Sequence, residues 1–237
     1  RAAQGGALWP NRRLAASGYA AIWAAENSRE ALFDAIRRRE VYATTGPRIV
    51  LRLFAGYDFD AALLEAPDLA LTGYLRGVPM GGQLAPAPPD TAPALVITAA
   101  RDPAGANLDR VQVVKGWLRR DGTARERVFD VAWAGEREPD PAGGHVPAIG
   151  STVDTAAATF ANTIGAAELA TVWRDPDFDP QLRCFYYVRV LEIPTPRWTT
   201  YDAVRFGLEL LDDVPAEVQQ RAYSSPVWYV PGAAEPG

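Results

Sequence analysis

The stretch Cys184-Phe-Tyr-Tyr-Val-Arg-Val-Leu-Glu-Ile-Pro194 limits the possible folds of this chain more than any other. Branched and aromatic side chains such as Tyr186, Tyr187, Val188, Val190, Leu191 and Ile193 favour extended backbone, because they fit a pleated, half-buried surface. Alternation puts Val188, Val190 and Glu192 on one face and Tyr187, Arg189, Leu191 and Ile193 on the other. Apolar residues on both faces predict a strand covered on both sides, hence a central one. Pro194 cannot donate to a ladder and Pro196 repeats the block, so the strand is predicted to stop there. Thr195-Pro-Arg-Trp-Thr-Thr-Tyr-Asp202 then reads as a loop stiffened by prolines, which presents a guanidinium and an indole at low entropic cost.

Around this strand the hydrophobic periods change along the chain. Residues 1–17 read as an irregular lead-in with Trp9-Pro10 and Arg12-Arg13, and Gly18 to Ala25 as a short strand or a buried turn. Asn27-Ser-Arg-Glu30 looks like a helix start, with Asn27 as the cap and Glu30 reaching back to it. Ala31, Leu32, Ala35 and Ile36 form the apolar stripe, with Phe33 beside it. The helix is expected over Asn27 to Arg39, followed by a strand at Val41 to Thr45 and a stop at Gly46-Pro47. Beyond residue 46 the pattern turns to strands: Arg48–Phe54, a short one at Leu69–Tyr74, then Ala94–Ala100 and Leu108–Trp117. Asp121-Gly122 is a hairpin signal, with Arg127–Trp133 as the return strand. Ala156–Ile164 reads as a further strand and Ala166–Trp173 as a helical turn. Val204–Leu211 is apolar without a clear period. Pro215–Arg221 reads as a short helix, and Pro226–Val230 as a closing strand before a Gly/Pro tail. Some seven strands with hairpin-type links predict a mainly β fold, an antiparallel β-sandwich.

The composition excludes several classes of function. Net charge is −5, and Lys115 is the only lysine. The one basic cluster, Arg37-Arg38-Arg39, sits at a predicted helix end, where cations suit the dipole, so no nucleic-acid partner is expected. No apolar run reaches the length of a membrane helix, so no transmembrane segment is expected. Cys184 is the single cysteine and falls in the central strand, which predicts a buried, inert thiol. His145, the single histidine, lies in a Gly/Pro loop after Ala142-Gly-Gly and is read as a solvated loop residue. With one histidine and one cysteine, no catalytic metal site is expected within these residues. Asp175, Asp177 and Asp179 have the alternate spacing that begins a calcium loop. They lack the glycine at the sixth position and the glutamate at the twelfth, and the competing reading is a rigid turn with Asx-type hydrogen bonds. Seven tryptophans and nine tyrosines permit sugar stacking, although strand aromatics more often belong to a core.

Several long motifs together resemble one bacterial family. They are Asp175-Pro-Asp-Phe-Asp-Pro180, Phe185 to Asp202, Ala222-Tyr-Ser-Ser-Pro-Val-Trp-Tyr229, and Gly18 through Pro47, which contains Arg39-Glu-Val-Tyr-Ala-Thr-Thr-Gly-Pro47. The family is catalogued as domain of unknown function 3604. Its members look like PHP-type metallohydrolases, with a metal-binding α/β barrel followed by a β-rich segment, and this chain resembles the later part. The resemblance implies that residues 1–46 are the last helix–strand unit of a PHP-like barrel and that residues 47–237 form a C-terminal β-sandwich. It also implies a hydrolase for a phosphoester or related bond, with Zn, Mn or Fe held in an N-terminal barrel of the same polypeptide, and either a cytoplasmic or a periplasmic location. Within this chain the candidate substrate or domain-interface residues are Arg197, Trp198, Tyr201 and Arg189. They would meet a small anionic substrate at the barrel mouth. Guanidinium forks match carboxylate and phosphate oxygens, and an indole gives a flat apolar wall. The competing reading pairs Arg197 with Asp202 or Glu192 and packs Trp198 in a domain seam. The alternative functions are a carbohydrate- or ligand-binding sandwich module and a purely structural accessory domain.

Overall fold

The computed structural model describes residues 13–141 and 143–232. The lead-in residues through Arg12, Ala142 of the Gly/Pro loop and the tail beyond Gly232 lie outside them. The protein is mainly β, built from antiparallel sheets. The large sheet is organised on β10 (Cys184–Pro196), which is central as its sequence predicts. One edge of β10 pairs with β7 (Leu108–Leu118), which in turn pairs with β8 (Ala124–Trp133) across the hairpin at Asp121-Gly122. Its other edge is shared end to end. β12 (Val227–Tyr229) takes Cys184 to Tyr186, and β11 (Glu217–Ser224) takes Arg189 to Pro196. β11 continues to β2 (Val41–Thr44) and β1 (Tyr19–Ile22). β12 continues to β5 (Gln83–Leu84), the one parallel pair in this sheet. The second sheet runs in the order β4 (Gly77–Pro79), β3 (Val50–Gly56), β6 (Ala94–Ala100), β9 (Glu168–Arg174).

The two sheets face each other across one core. Val111, Val113, Tyr186, Val188 and Val190 of the large sheet meet Leu51, Leu53, Leu95 and Ile97 of the small one, and all are buried. The outer face of the small sheet carries a second cluster, in which Phe54, Phe59, Leu63 and Val96 sit beneath the short helix α2 (Leu69–Arg76). Gly73 makes that packing possible, since a Cβ there would collide with the Phe54 ring. The helix α1 (Arg29–Arg37) starts one residue later than predicted: Ser28, not Asn27, is the cap, and its Oγ accepts from Ala31 N. Of the apolar stripe Ala35 is buried, while Ile36, and Phe33 beside the stripe, are more than half exposed. β2 is hydrogen-bonded into the large sheet, and Thr45 N donates to the Arg221 carbonyl at 2.9 Å, so main-chain bonds cross the position of Gly46.

Several sequence expectations are corrected. β10 runs two residues past Pro194, because its register with β11 shifts between Leu191 and Pro194, and a bulged stretch needs fewer donors. The supposed loop after it becomes α3 (Trp198–Phe206), closed by Gly207 in the left-handed conformation. Leu69–Arg76 is helical, not a strand. Glu168–Arg174 and Glu217–Ser224 are strands despite residues that favour helix, because each is held in a ladder by a neighbouring strand. Residues 156–164 form turns with one isolated bridge, Asp154 to Thr159, not a strand. Among the described residues no helix is long and apolar enough to cross a membrane.

Candidate functional site

The end of β10 and the start of α3 are tied together before they form a site. Arg197, in extended conformation, caps α3: its N donates to the Ala216 carbonyl at 2.8 Å, and its carbonyl accepts from Thr200 N at 2.8 Å. Thr200, fully buried, adds an Oγ1 bond to the same Ala216 carbonyl at 2.6 Å. The first turn of α3 is thereby fixed against the segment leading into β11. The Arg197 guanidinium reaches the Leu14 carbonyl at 2.8 Å and Thr199 Oγ1 at 3.0 Å. It also lies 5.4 Å from the centre of the Trp198 ring, and Trp198 Nε1 donates to the same Leu14 carbonyl at 2.9 Å. No ion pair among the described residues joins Arg197 to Asp202 or Glu192, so the local-carboxylate expectation is not what this geometry contains.

The cavity beside Arg197 measures about 520 Å³. Arg197, Trp198 and Tyr201 form one wall of it, Arg13 another, and Gln219 and Arg221 of β11 a third. Three arginines thus line one pocket, and no aspartate or glutamate is among the lining residues. Arg13 is exposed and paired with Asp213 at 3.2 Å. Arg221 Nη1 donates to Tyr223 Oη at 3.3 Å, while its buried Nε has no partner. Burial raises the Tyr201 hydroxyl above its usual range, so it stays a neutral hydrogen-bonding group. An anion entering here meets fork-shaped cationic donors.

Arg189, the fourth candidate, does not line this pocket. It faces the outer side of the large sheet, where its Nε donates to Gln112 Oε1 at 2.7 Å. A buried relay continues from there: Gln112 Nε2 to Asp130 at 2.6 Å, Asp130 to Arg110 at 3.2 Å, Arg110 to Asp109 at 3.1 Å. Asp109 then accepts from Gln219 Nε2, which lines the pocket, at 3.0 Å. The same relay pins the Gly/Pro loop, since Arg110 donates to the carbonyls of Val146 and Pro147, and Arg137 pairs with Asp109 at 2.8 Å. His145, half exposed, lies 3.6 Å from the buried Asp130.

The three aspartates of the Asp-Pro-Asp-Phe-Asp turn point to separate partners at the opposite end of β10. Asp175 pairs with the buried ammonium of Lys115 at 2.6 Å and accepts from Tyr186 at 2.6 Å. Asp177 pairs with Arg127 at 2.5 Å. Asp179 accepts from Gln181 N, and Asp175 from Asp177 N, as in Asx turns. Among the described residues, no group of three or more His, Cys, Asp or Glu side chains is placed to hold a metal ion. Cys184 lies beside Tyr186, with its thiol pushed up to about 11 by burial. Such a thiol is a poor nucleophile.

A family model described as "Protein of unknown function (DUF3604)" matches residues 3–231. The chain belongs to this family. No curated protein and no solved structure matches it significantly. Membership spans the whole pocket, from Arg13 through Arg221, and both ends of β10. Sequence reasoning found Arg197, Trp198 and Tyr201 because two prolines run directly into an arginine beside a tryptophan. It missed Arg13, Gln219 and Arg221, which come from distant segments and carry no local signal.

Proposed function

We propose that this chain is the C-terminal, β-rich portion of a PHP-like metal-dependent hydrolase acting on a phosphoester or related bond. In this reading residues 1–46 close a barrel, residues 47–237 form the sandwich, and the chain is non-catalytic by itself. The observation that carries the reading is the pocket lined by Arg13, Arg197 and Arg221 without a carboxylate. Such a lining suits the oxygens of a carboxylate or phosphate. A divalent Zn, Mn or Fe held by the barrel would supply an activated water. The part of this chain is electrostatic: guanidiniums already in place bind the anion and offset charge that develops on it. Trp198 lies beside Arg197, its ring centre 5.4 Å from the guanidinium carbon, and gives the pocket an apolar wall.

A second reading has an observation of its own. Arg197 Nη2 and Trp198 Nε1 converge on one backbone carbonyl, that of Leu14. That geometry also fits a brace which holds the entering chain against the sandwich. Steady-state kinetics of the metal-loaded full-length protein on a panel of phosphoesters separates the two. A substrate role for Arg197 requires that Arg197→Ala lose turnover at unchanged Tm, with Arg197→Lys rescuing poorly, because a point charge does not replace a fork. A fall in Tm with turnover per folded molecule unchanged would leave the brace alone.

A further inference from the structure

At the other end of β10 the outer face of the large sheet carries a row of aromatic rings that the hydrolase reading does not use. Phe185 and Tyr187 lie two apart on one face, with their rings within 14° of parallel and 6.5 Å between centres. The Trp228 ring sits 5.2 Å from Phe185 and is 41% exposed. Gly116 explains why the Phe185 ring can lie down. It is the direct cross-strand partner of Phe185, and a Cβ at that position would run into the ring. One ring face therefore rests on the backbone of β7, leaving the other to face outward.

Phe185 and Trp228 border a depression of about 550 Å³, with Trp117 and Tyr229 also in its lining, and Tyr187 extends the row beyond it. Its rim carries Arg125, Glu126 and Arg183, all exposed, so it offers charged donors and an acceptor side by side. The volume falls in the range of small-molecule sites, about 300–1,000 Å³. A stable protein partner would need a far larger surface, roughly 1,200 Å² or more in total. Aromatic faces are electron-rich and attract the polarised C–H groups of a flat ring. The rim groups, two guanidiniums and one carboxylate, can donate to and accept from hydroxyls at the edge of that ring. A pyranose has both features, a C–H face and a hydroxyl edge.

We propose that Trp228, Phe185 and Tyr187 form a platform for a neutral oligosaccharide, with Arg125, Glu126 and Arg183 binding its hydroxyls. This site is on a different surface from the Arg197 pocket and does not rest on the hydrolase reading.

The test is titration of the full-length protein with cellohexaose, xylohexaose, chitohexaose and maltohexaose, followed by tryptophan fluorescence and calorimetry. Saturable binding of at least one of them is expected. Trp228→Ala is expected to weaken it about tenfold or more. Arg125→Ala, at an exposed position outside the core, should weaken it less, and provides a variant that keeps the fold. The proposal is overturned if none of the four saturates by about 10 mM, a range that captures even millimolar affinity. It is equally overturned if binding survives Trp228→Ala unchanged, or if that substitution turns a dimer into a monomer, which would make the face a contact between copies.

Discussion

The two ends of β10 treat positive charge in opposite ways. At the Cys184 end, the ammonium of Lys115 is buried and closed in: Asp175 Oδ2 at 2.6 Å, the Asp177 carbonyl at 2.8 Å, and the Trp117 ring 5.5 Å away. Tyr186 donates to the same carboxylate. Every partner comes from the chain, and the result is a fastened turn. At the Pro196 end, the guanidiniums of Arg197 and Arg221 are held by neutral groups, a carbonyl and two hydroxyls, and open into a cavity. A buried charge that is fully paired within the chain stabilises structure only while both partners remain. A charge held by neutral groups keeps its field for a visitor.

The difference predicts a ranked set of effects. The largest is at Asp175. Asp175→Ala leaves the Lys115 ammonium buried without its carboxylate and should cost about 3–5 kcal/mol. Chemical denaturation reads this directly, and a loss below about 1 kcal/mol would mean that the Lys115 end is not closed. Lys115→Met with Asp175→Leu should recover much of the loss, because an apolar pair of similar volume replaces a buried ion pair at small net cost.

Next comes Glu192, which lies on the core side of β10, nearly inaccessible and with Oε1 unpaired. Burial, followed by the nearby Asp102 charge and opposed by Arg101, pushes its pKa from 4.5 to about 8. In the unfolded chain the carboxyl ionises from about pH 4.5, while in the fold it stays protonated to about pH 8. Its contribution to stability is therefore fully present below pH 4.5 and declines as pH rises to about 8. Glu192→Gln should flatten the dependence of unfolding free energy on pH over that window. An unchanged slope in the variant would contradict the assignment.

Smaller again is Thr200→Val. It removes one buried hydrogen bond to the Ala216 carbonyl, which Arg197 N also satisfies, so about 1 kcal/mol is expected. The smallest stability change is expected for Arg197→Ala, under about 1 kcal/mol, because its side-chain bonds are partly exposed. If thermal melts put Arg197→Ala level with Asp175→Ala, the contrast between the two ends collapses.

The central strand was legible because Tyr-Tyr-Val-Arg-Val-Leu combines high strand propensity with apolar residues on both faces. The hairpin at Asp121-Gly122 was legible because a type of turn demands those residues. β9 and β11 were not. Ala166-Ala-Glu-Leu-Ala170 and Glu217-Val-Gln-Gln-Arg221 suit a helix locally, and only pairing with β6, β10 and β2 makes them strands. α3 was hidden by Thr199, Thr200 and Tyr201, poor helix formers in its first turn, although Gly207 marks its end. At the site, the arginine and indole after Pro196 could be singled out from local chemistry. Their grouping with Arg13 and Arg221 depends on sheet order, and no local pattern encodes it.

The central claim is that the Arg197 pocket holds an anion. Its most direct measurement is titration of the full-length protein with inorganic phosphate at low ionic strength, comparing wild type, Arg197→Ala and Arg221→Ala by calorimetry. The account predicts saturable binding in wild type that weakens with added salt and is lost in both variants, while Tm moves by no more than about 2 °C. Equal phosphate binding by wild type and Arg197→Ala, or none by any of the three, would contradict it.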